Sequence, residues 1–306
     1  MDFMAENRSL EKGVVISFGV FDGVHIGHQS LIRCMQDRAD KLGIETVVIT
    51  FDPHPALSTS GKAPPIITSL SKKIGLLKSL GIDRIVVEDF NDEFSQLLPE
   101  EFVRDILIGR FHAREIIVGY DCAFGKDRTG DKELLKELGK KYGVMVEVVE
   151  PYNLNGQIVS STRVRNAIIN GELNLANTLL DRPYSIFGKV VSGKGIGHKI
   201  GYATANLDTQ NEVLPQSGVY VVRAYVDGES YGGLLNMGTQ PTFGDGHFRI
   251  EAHLFDFGGG ELYGHDMEIF FVKRIREERI FPSPEKLAGQ IKKDEMIARK
   301  ILGLEI

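Results

Sequence analysis

The chain has 306 residues, with 42% hydrophobic and 25% charged side chains and a formal net charge of −6. That length fits two domains with sizeable cores, and the composition is ordinary for a soluble globular protein. The acidic balance excludes the basic face of a general nucleic-acid binder, but it leaves room for a local pocket that takes a small phosphorylated ligand.

Residues 1–12 read as a loose tail without the apolar centre of a signal peptide. No apolar run reaches the length of a membrane span. Cys34 and Cys122 lie far apart and match no paired metal spacing, which suits a reducing cytoplasm with neither a zinc site nor a disulfide framework. Val14–Phe18 is the first predicted strand. The chain then turns through Gly19, Phe21, Asp22 and Gly23 to His25-Ile26-Gly27-His28, and a helix is predicted over Gln29–Leu42. A buried strand, a glycine turn, two histidines and a helix start together make a place to hold phosphates.

Glu45–Phe51 is a second buried strand, broken by Asp52-Pro53-His54-Pro55. A helix over Ser69–Leu80 stops at Gly81, Arg84–Val87 is a third strand, and Pro99–Gly109 is a helix with Pro99 near its start. Glu115–Val118 is a fourth strand, ending in Gly119-Tyr120-Asp121-Cys122-Ala123-Phe124-Gly125; a helix over Asp131–Tyr142 and a strand over Val144–Val149 follow. This alternation predicts an α/β fold, a Rossmann-like parallel sheet with helices on both faces. Ligands bind such sheets beyond the carboxyl ends of the strands, so Gly19–His28 and Gly119–Gly125 are expected to face one crevice.

Val159-Ser160-Ser161-Thr162-Arg163-Val164-Arg165 leads into a helical stretch to about Leu180. Its hydroxyls and guanidinium groups are either a simple helix cap or a phosphate grip at a helix N-terminus. After Arg182-Pro183-Tyr184 the pattern changes. Ser185–Val191, Gly218–Tyr225, Tyr231–Asn236, Arg249–Leu254 and Met267–Ile275 read as strands separated by glycine turns, which predicts an antiparallel β-barrel. A helix over Ser283–Leu302, capped by Ser283, closes the chain. The expected domains are therefore 1–182 and 183–306.

Three stretches of the second half carry candidate chemistry. The glycine loop with Gly193, Gly195, Gly197 and Lys199 fits neither G-x-G-x-x-G nor a Walker A loop; it is a flexible hairpin or a backbone cradle for phosphate. Thr204 and Asn206, two apart on an extended segment, share one side. They form a polar strand edge or hold a magnesium ion and a phosphate oxygen. Glu251 sits mid-strand among apolar residues. It is either solvated on an alternating strand or a general base for a hydroxyl nucleophile.

With these motifs in one order, the chain resembles the prokaryotic bifunctional riboflavin kinase/FAD synthetase family over nearly its whole length. The first half resembles the FMN adenylyltransferase through Gly19–His28, Gly119–Gly125 and Ser160–Arg165. The second resembles the riboflavin kinase through the glycine loop, Thr204-Ala205-Asn206, Leu214-Pro215 to Tyr220, Asn236–Gly244 and Glu251 to Phe257. The resemblance implies that ATP phosphorylates riboflavin to FMN, with Thr204 and Asn206 holding Mg-ATP, Glu251 activating the hydroxyl and the Gly193–Lys199 loop covering phosphates. It also implies that FMN attacks a second ATP to give FAD and pyrophosphate. His25 and His28 would stabilise the phosphates, Ser160, Ser161, Thr162 and Arg165 would grip the ATP tail, and Asp121 would lie near the nucleotide. Two residues depart from the family pattern: Ala203 stands where Pro is usual and Cys122 where Phe is usual. These changes keep open an enzyme of one reaction only, with the other module as a docking or regulatory unit. Two other readings are weaker. A flavin- or RNA-binding regulator would not need the intact His-Ile-Gly-His motif. An adenylyltransferase for nicotinamide mononucleotide would leave the barrel's residues without a role.

Overall fold

Val14, Val15 and Ile16 are all fully buried, because the strand they form is covered on both faces. This strand, β1 (Val14–Phe18), is the centre of a five-stranded parallel sheet. In the computed structural model, which describes residues 12–57, 61–192, 202, 204–211, 213–239 and 248–305, β2 (Glu45–Asp52) and β3 (Arg84–Asp89) lie on one side of it. On the other side lie β4 (Ala113–Gly119) and β5 (Met145–Val149). The two-residue period of a strand sorts the apolar residues. Val14, Ile16, Val47, Ile49, Ile116 and Val118 join the core on one face, with Phe102 and Leu107. Val15, Val48 and Ile117 join the opposite core, with Leu31, Ile32 and Met35 of helix α1 (Ile26–Leu42). The expected Rossmann-like parallel sheet is present.

Several boundaries differ from expectation, each for a local reason. Helix α1 begins at Ile26 rather than Gln29, because His25 acts as its N-cap. The stretch over Pro99–Gly109 is one short turn, Pro99–Glu101, followed by a π-helix over Phe102–Arg110. Its end is marked by an amide of Phe111 that bonds the carbonyl of Ile106. The helical stretch to Leu180 is two helices, α4 (Ser161–Ile169) and α5 (Leu173–Leu180), separated at Gly171. Helices α2 (Leu70–Ser79) and α3 (Lys132–Tyr142) hold nearly as expected, Asp131 capping the latter.

The second half forms a closed antiparallel barrel of six strands: β6 (Ser185–Val191), β7 (Ala205–Thr209), β8 (Gly218–Val226), β9 (Glu229–Gly238), β10 (Arg249–Leu254) and β11 (Asp266–Arg276). They are joined in the order β6-β7-β10-β9-β8-β11. Strand β7 is additional to the five read from the sequence. Helix α6 (Pro284–Leu302) is capped by Ser283, whose hydroxyl accepts from the Lys286 amide. It packs Ala298 and Leu302 against Val219, Val221 and Leu234 of the barrel. Packing divides the chain into two compact units, Met1–Ile66 with Leu70–Arg163, and Ile67–Ser69 with Val164–Ile306. Among the described residues no helix is long and apolar enough to cross a membrane.

A buried ion pair fixes α6 on the barrel. Arg276 Nε donates to Asp294 Oδ2 at 2.8 Å, and Gln290 Nε2 donates to Asp294 Oδ1 at 2.8 Å. Removing one partner leaves the other charge buried and uncompensated. Asp294→Ala is therefore expected to destabilise the barrel by about 3 kcal/mol, read as a lower urea midpoint for its unfolding. Asp294→Asn, which keeps the side chain's shape and one acceptor oxygen for the Arg276 guanidinium, should cost less.

Candidate functional sites at the sheet's switch point and on the barrel

The chain leaves the carboxyl end of β1 toward β2 on one side, and the carboxyl end of β4 toward β5 on the other. A crevice opens where neighbouring connections diverge in this way. Here it is a cavity of about 330 Å³, lined by Gly19, Phe21, Asp22 and His28 from the first connection and by Gly119, Asp121, Cys122 and Phe124 from the second, with Ser161 of α4. The two motifs expected to share a crevice do so.

The turn after β1 is built against backbone preference. Phe21 and Val24 have φ of 52° and 42°, a region that costs a β-branched residue such as valine most. Side chains from other elements hold the turn in place. Thr50 Oγ1 and Lys73 Nζ both donate to the Val20 carbonyl, at 3.1 and 3.0 Å. Ser161 Oγ donates to the Asp22 carbonyl at 2.8 Å, and Gln29 Nε2 to the Val24 carbonyl at 3.2 Å. Lys73 is only 6% exposed. Burial lowers its pKa, and the nearby carboxylates of Asp22 and Asp52 oppose that shift.

The two histidines are coupled through the helix start. His25 has extended backbone, and its Nδ1 accepts from the amide of His28 at 3.3 Å, taking up one orphan donor of the first turn. An Nδ1 that accepts leaves the ring proton on Nε2. The rings stack with centroids 3.7 Å apart and planes 13° apart, and the Phe21 ring lies 5.2 Å from His28. Gly27 makes room for this, since a Cβ there would stand 3.1 Å from His25 Cε1. Gly119 does the same for the second motif, where a Cβ would stand 3.1 Å from the Asp121 carboxylate.

Among the other residues of this set, Gly23 lies buried inside the turn at φ 82°. Ser160 Oγ accepts from the Arg163 amide at 3.3 Å, so it caps the start of α4. Thr162 is exposed, and Arg165 is buried on the part of α4 that belongs to the second unit. Cys122 is partly buried against the core, and burial, with the Asp121 charge, pushes its thiol up to about 12. It is therefore a neutral wall of the cavity at physiological pH. Nothing in the sequence marks Lys73 and Thr50 for this turn. Nor does the sequence single out the aromatic wall of Phe18, Phe51, Phe90, Phe94 and Phe102, which come from four separate segments.

In the barrel, register assembles the second set. Glu251 of β10 is paired across the strands with Asn206 of β7 on one side and Asn236 of β9 on the other. Asn206 is 8% exposed, and its Oδ1 has no hydrogen-bond partner among the described residues. A buried acceptor left unmatched is costly unless a ligand or ion completes it. Glu251 is half-buried, between the solvated and buried extremes considered from the sequence. Thr204 is partly buried just before β7. Gly193, Gly195, Gly197, Lys199 and Ala203 lie outside the described residues.

Comparison with known proteins follows the same division. Residues 7–163 match the family model for FAD synthetase, and residues 180–302 match the model for riboflavin kinase. A bifunctional riboflavin kinase/FMN adenylyltransferase of Haemophilus influenzae is 37% identical over 295 residues, covering 96% of this chain and 95% of its own. The protein of that description from Escherichia coli K12 is 36% identical over 300 residues, covering 97% and 96%. A crystal structure described as a macrolide-efflux protein from Streptococcus pneumoniae superposes with a TM-score of 0.81 at 33% identity, covering 94% of each chain. Both modules are matched in order, and the relatives span almost all of the sequence: the chain belongs to the bifunctional riboflavin kinase/FMN adenylyltransferase family.

Proposed function

We propose that residues 1–182 carry out FMN adenylylation and residues 183–306 riboflavin phosphorylation in this chain, a riboflavin kinase and FMN adenylyltransferase that makes FMN and FAD. The observation that carries the site assignment is the stacked pair His25 and His28 at the cavity of the switch point. There a phosphate oxygen of FMN attacks the α-phosphorus of ATP, the bond to the β-phosphate breaks, and pyrophosphate leaves. No covalent enzyme intermediate is needed, so the protein's contribution is position and charge stabilisation. His28 meets the phosphates, and the N-terminus of α4, with Ser160, Ser161 and Thr162, receives the nucleotide's phosphate tail together with Arg165. Gly19, Phe21, Asp22 and Gly23 shape the turn, and Asp121 faces the nucleotide.

In the barrel, Glu251 takes the proton of the riboflavin 5′-hydroxyl as that oxygen attacks the γ-phosphorus of ATP, and ADP leaves. Asn206 Oδ1, the buried acceptor without a protein partner, together with Thr204, suits an oxygen-liganded Mg²⁺. The ion would neutralise ATP phosphate charge when bound. The Gly193, Gly195, Gly197 and Lys199 loop is assigned to phosphate cover on its composition. The free cysteines, Cys34 and Cys122, support placing both reactions in the cytoplasm.

Chromatography of products from riboflavin, Mg-ATP and the pure protein tests the whole reading, with FMN and FAD both expected; finding neither product overturns it. His28→Ala should lower FAD formation from FMN by on the order of 10²-fold or more and leave FMN formation from riboflavin intact. Glu251→Ala should do the reverse, with a loss of about 10²–10⁴-fold. Lys73→Met, which removes a buried donor from the Val20 carbonyl, should slow adenylyl transfer by roughly tenfold with the kinase rate unchanged. Pyrophosphate release and FMN formation, measured side by side on each variant, check both.

A further inference from the structure

The cavity beside His28 is lined by two chemically distinct sets of residues. One is aromatic, and the other comprises Asp22, His28, Asp121, Ser161 and Arg128. Arg128 is the one Arg or Lys among the described residues that line it. The acceptor in adenylyl transfer is an anion, and it must be brought against a second, larger anion in a cavity that already holds two carboxylates. A single cation in that lining is where the smaller anion gains most.

We propose that Arg128 is the residue that recognises the phosphate of the flavin substrate, and so distinguishes FMN from riboflavin at the adenylylation site. This rests on the assignment of that reaction to the cavity.

Three observations support it besides charge. The Arg128 guanidinium makes no hydrogen bond or ion pair among the described residues, so its planar fork is free for a bidentate phosphate contact. It lines the cavity together with Cys122, where its charge opposes the larger effect of burial on the thiol. Finally, the backbone adopts an unfavourable conformation to present it. Asp127 and Arg128 are consecutive non-glycine residues at φ 54° and 57°. The loop holds them through the Arg128 amide on the Gly125 carbonyl at 3.0 Å, and through the amide and hydroxyl of Thr129 on the Lys126 carbonyl at 3.1 and 2.8 Å. Strain of this kind persists where the surroundings over-determine it, and it concentrates at ligand clamps. The other cationic groups of the site have separate duties. Lys73 is buried beneath the Val20 carbonyl, and Arg163 Nη1 donates to the carbonyls of Leu154 and Gln157.

The test uses the full chain carrying Glu251→Gln, so that riboflavin is not phosphorylated, and measures FAD formation with riboflavin as a competitor. Arg128→Ala is expected to raise the KM for FMN at least tenfold. The KM for ATP and the inhibition constant of riboflavin should stay within twofold, and Arg128→Lys should recover part of the loss. Arg128→Gly, which accepts the left-handed backbone without cost, should behave like Arg128→Ala and so separates loss of charge from loss of loop geometry. An unchanged KM for FMN overturns the proposal. So does a parallel rise for FMN and riboflavin, or a rise confined to ATP. A parent chain that forms no FAD at all overturns instead the assignment of the cavity.

Discussion

The carbonyl of Val20 is a small group on which much of the first module depends. It accepts from Thr50 on β2 and from Lys73 on α2, while Ser161 on α4 bonds the carbonyl of Asp22 two residues on. Phe21 and Val24 sit in left-handed backbone that they do not favour, at about 1–3 kcal/mol each. The turn survives because three elements far apart in sequence hold it. Its shape in turn fixes where helix α1 starts, and hence where the rings of His25 and His28 stack. A phosphate site with no covalent role needs this kind of preorganisation, since its donors must be in place before charge develops.

The barrel solves the same problem by register instead of by side-chain stakes. Strand β10 lies between β7 and β9, so one cross-strand row carries Asn206, Glu251 and Asn236. A slip of one residue in either pairing would turn Glu251 to the other face of the sheet. Closure removes the edges at which such slips begin. The Arg276–Asp294 pair then fixes α6 against the outside of the same barrel. The two modules thus build their candidate sites on opposite architectural terms, one at the carboxyl edge of a parallel sheet and one on the ladder of an antiparallel barrel.

Much of this was legible in the residues. Val14–Ile16 and Val47–Ile49 are continuous apolar runs, the mark of strands buried on both faces. Gly81 and Gly143 mark helix ends, and Ser283 with Pro284 marks a helix start. Strand β7 was harder, because Ala205–Thr209 offers only Ala205 and Leu207 as apolar alternation, and its place in the barrel comes from pairing with β6 and β10. Helix α1 starts three residues before its sequence signal, since histidine is not among the usual capping residues and its capping depends on a side-chain torsion. Lys72 and Lys73 are adjacent and chemically identical in sequence, yet only Lys73 is buried.

The sequence by itself determined the two modules, the alternation of strand and helix in the first, the β character of the second, and the motifs by which the chain is recognised. These follow from local patterns: burial period, turn residues and the short-range spacing of polar groups. The tertiary structure alone decided that the motifs after β1 and β4 share one cavity, that an aromatic wall closes it, and that Lys73 supports the turn. It also set Glu251 between two asparagines. Each of these is a meeting of residues tens to more than a hundred positions apart, fixed by strand order and register, and no local spacing carries that information.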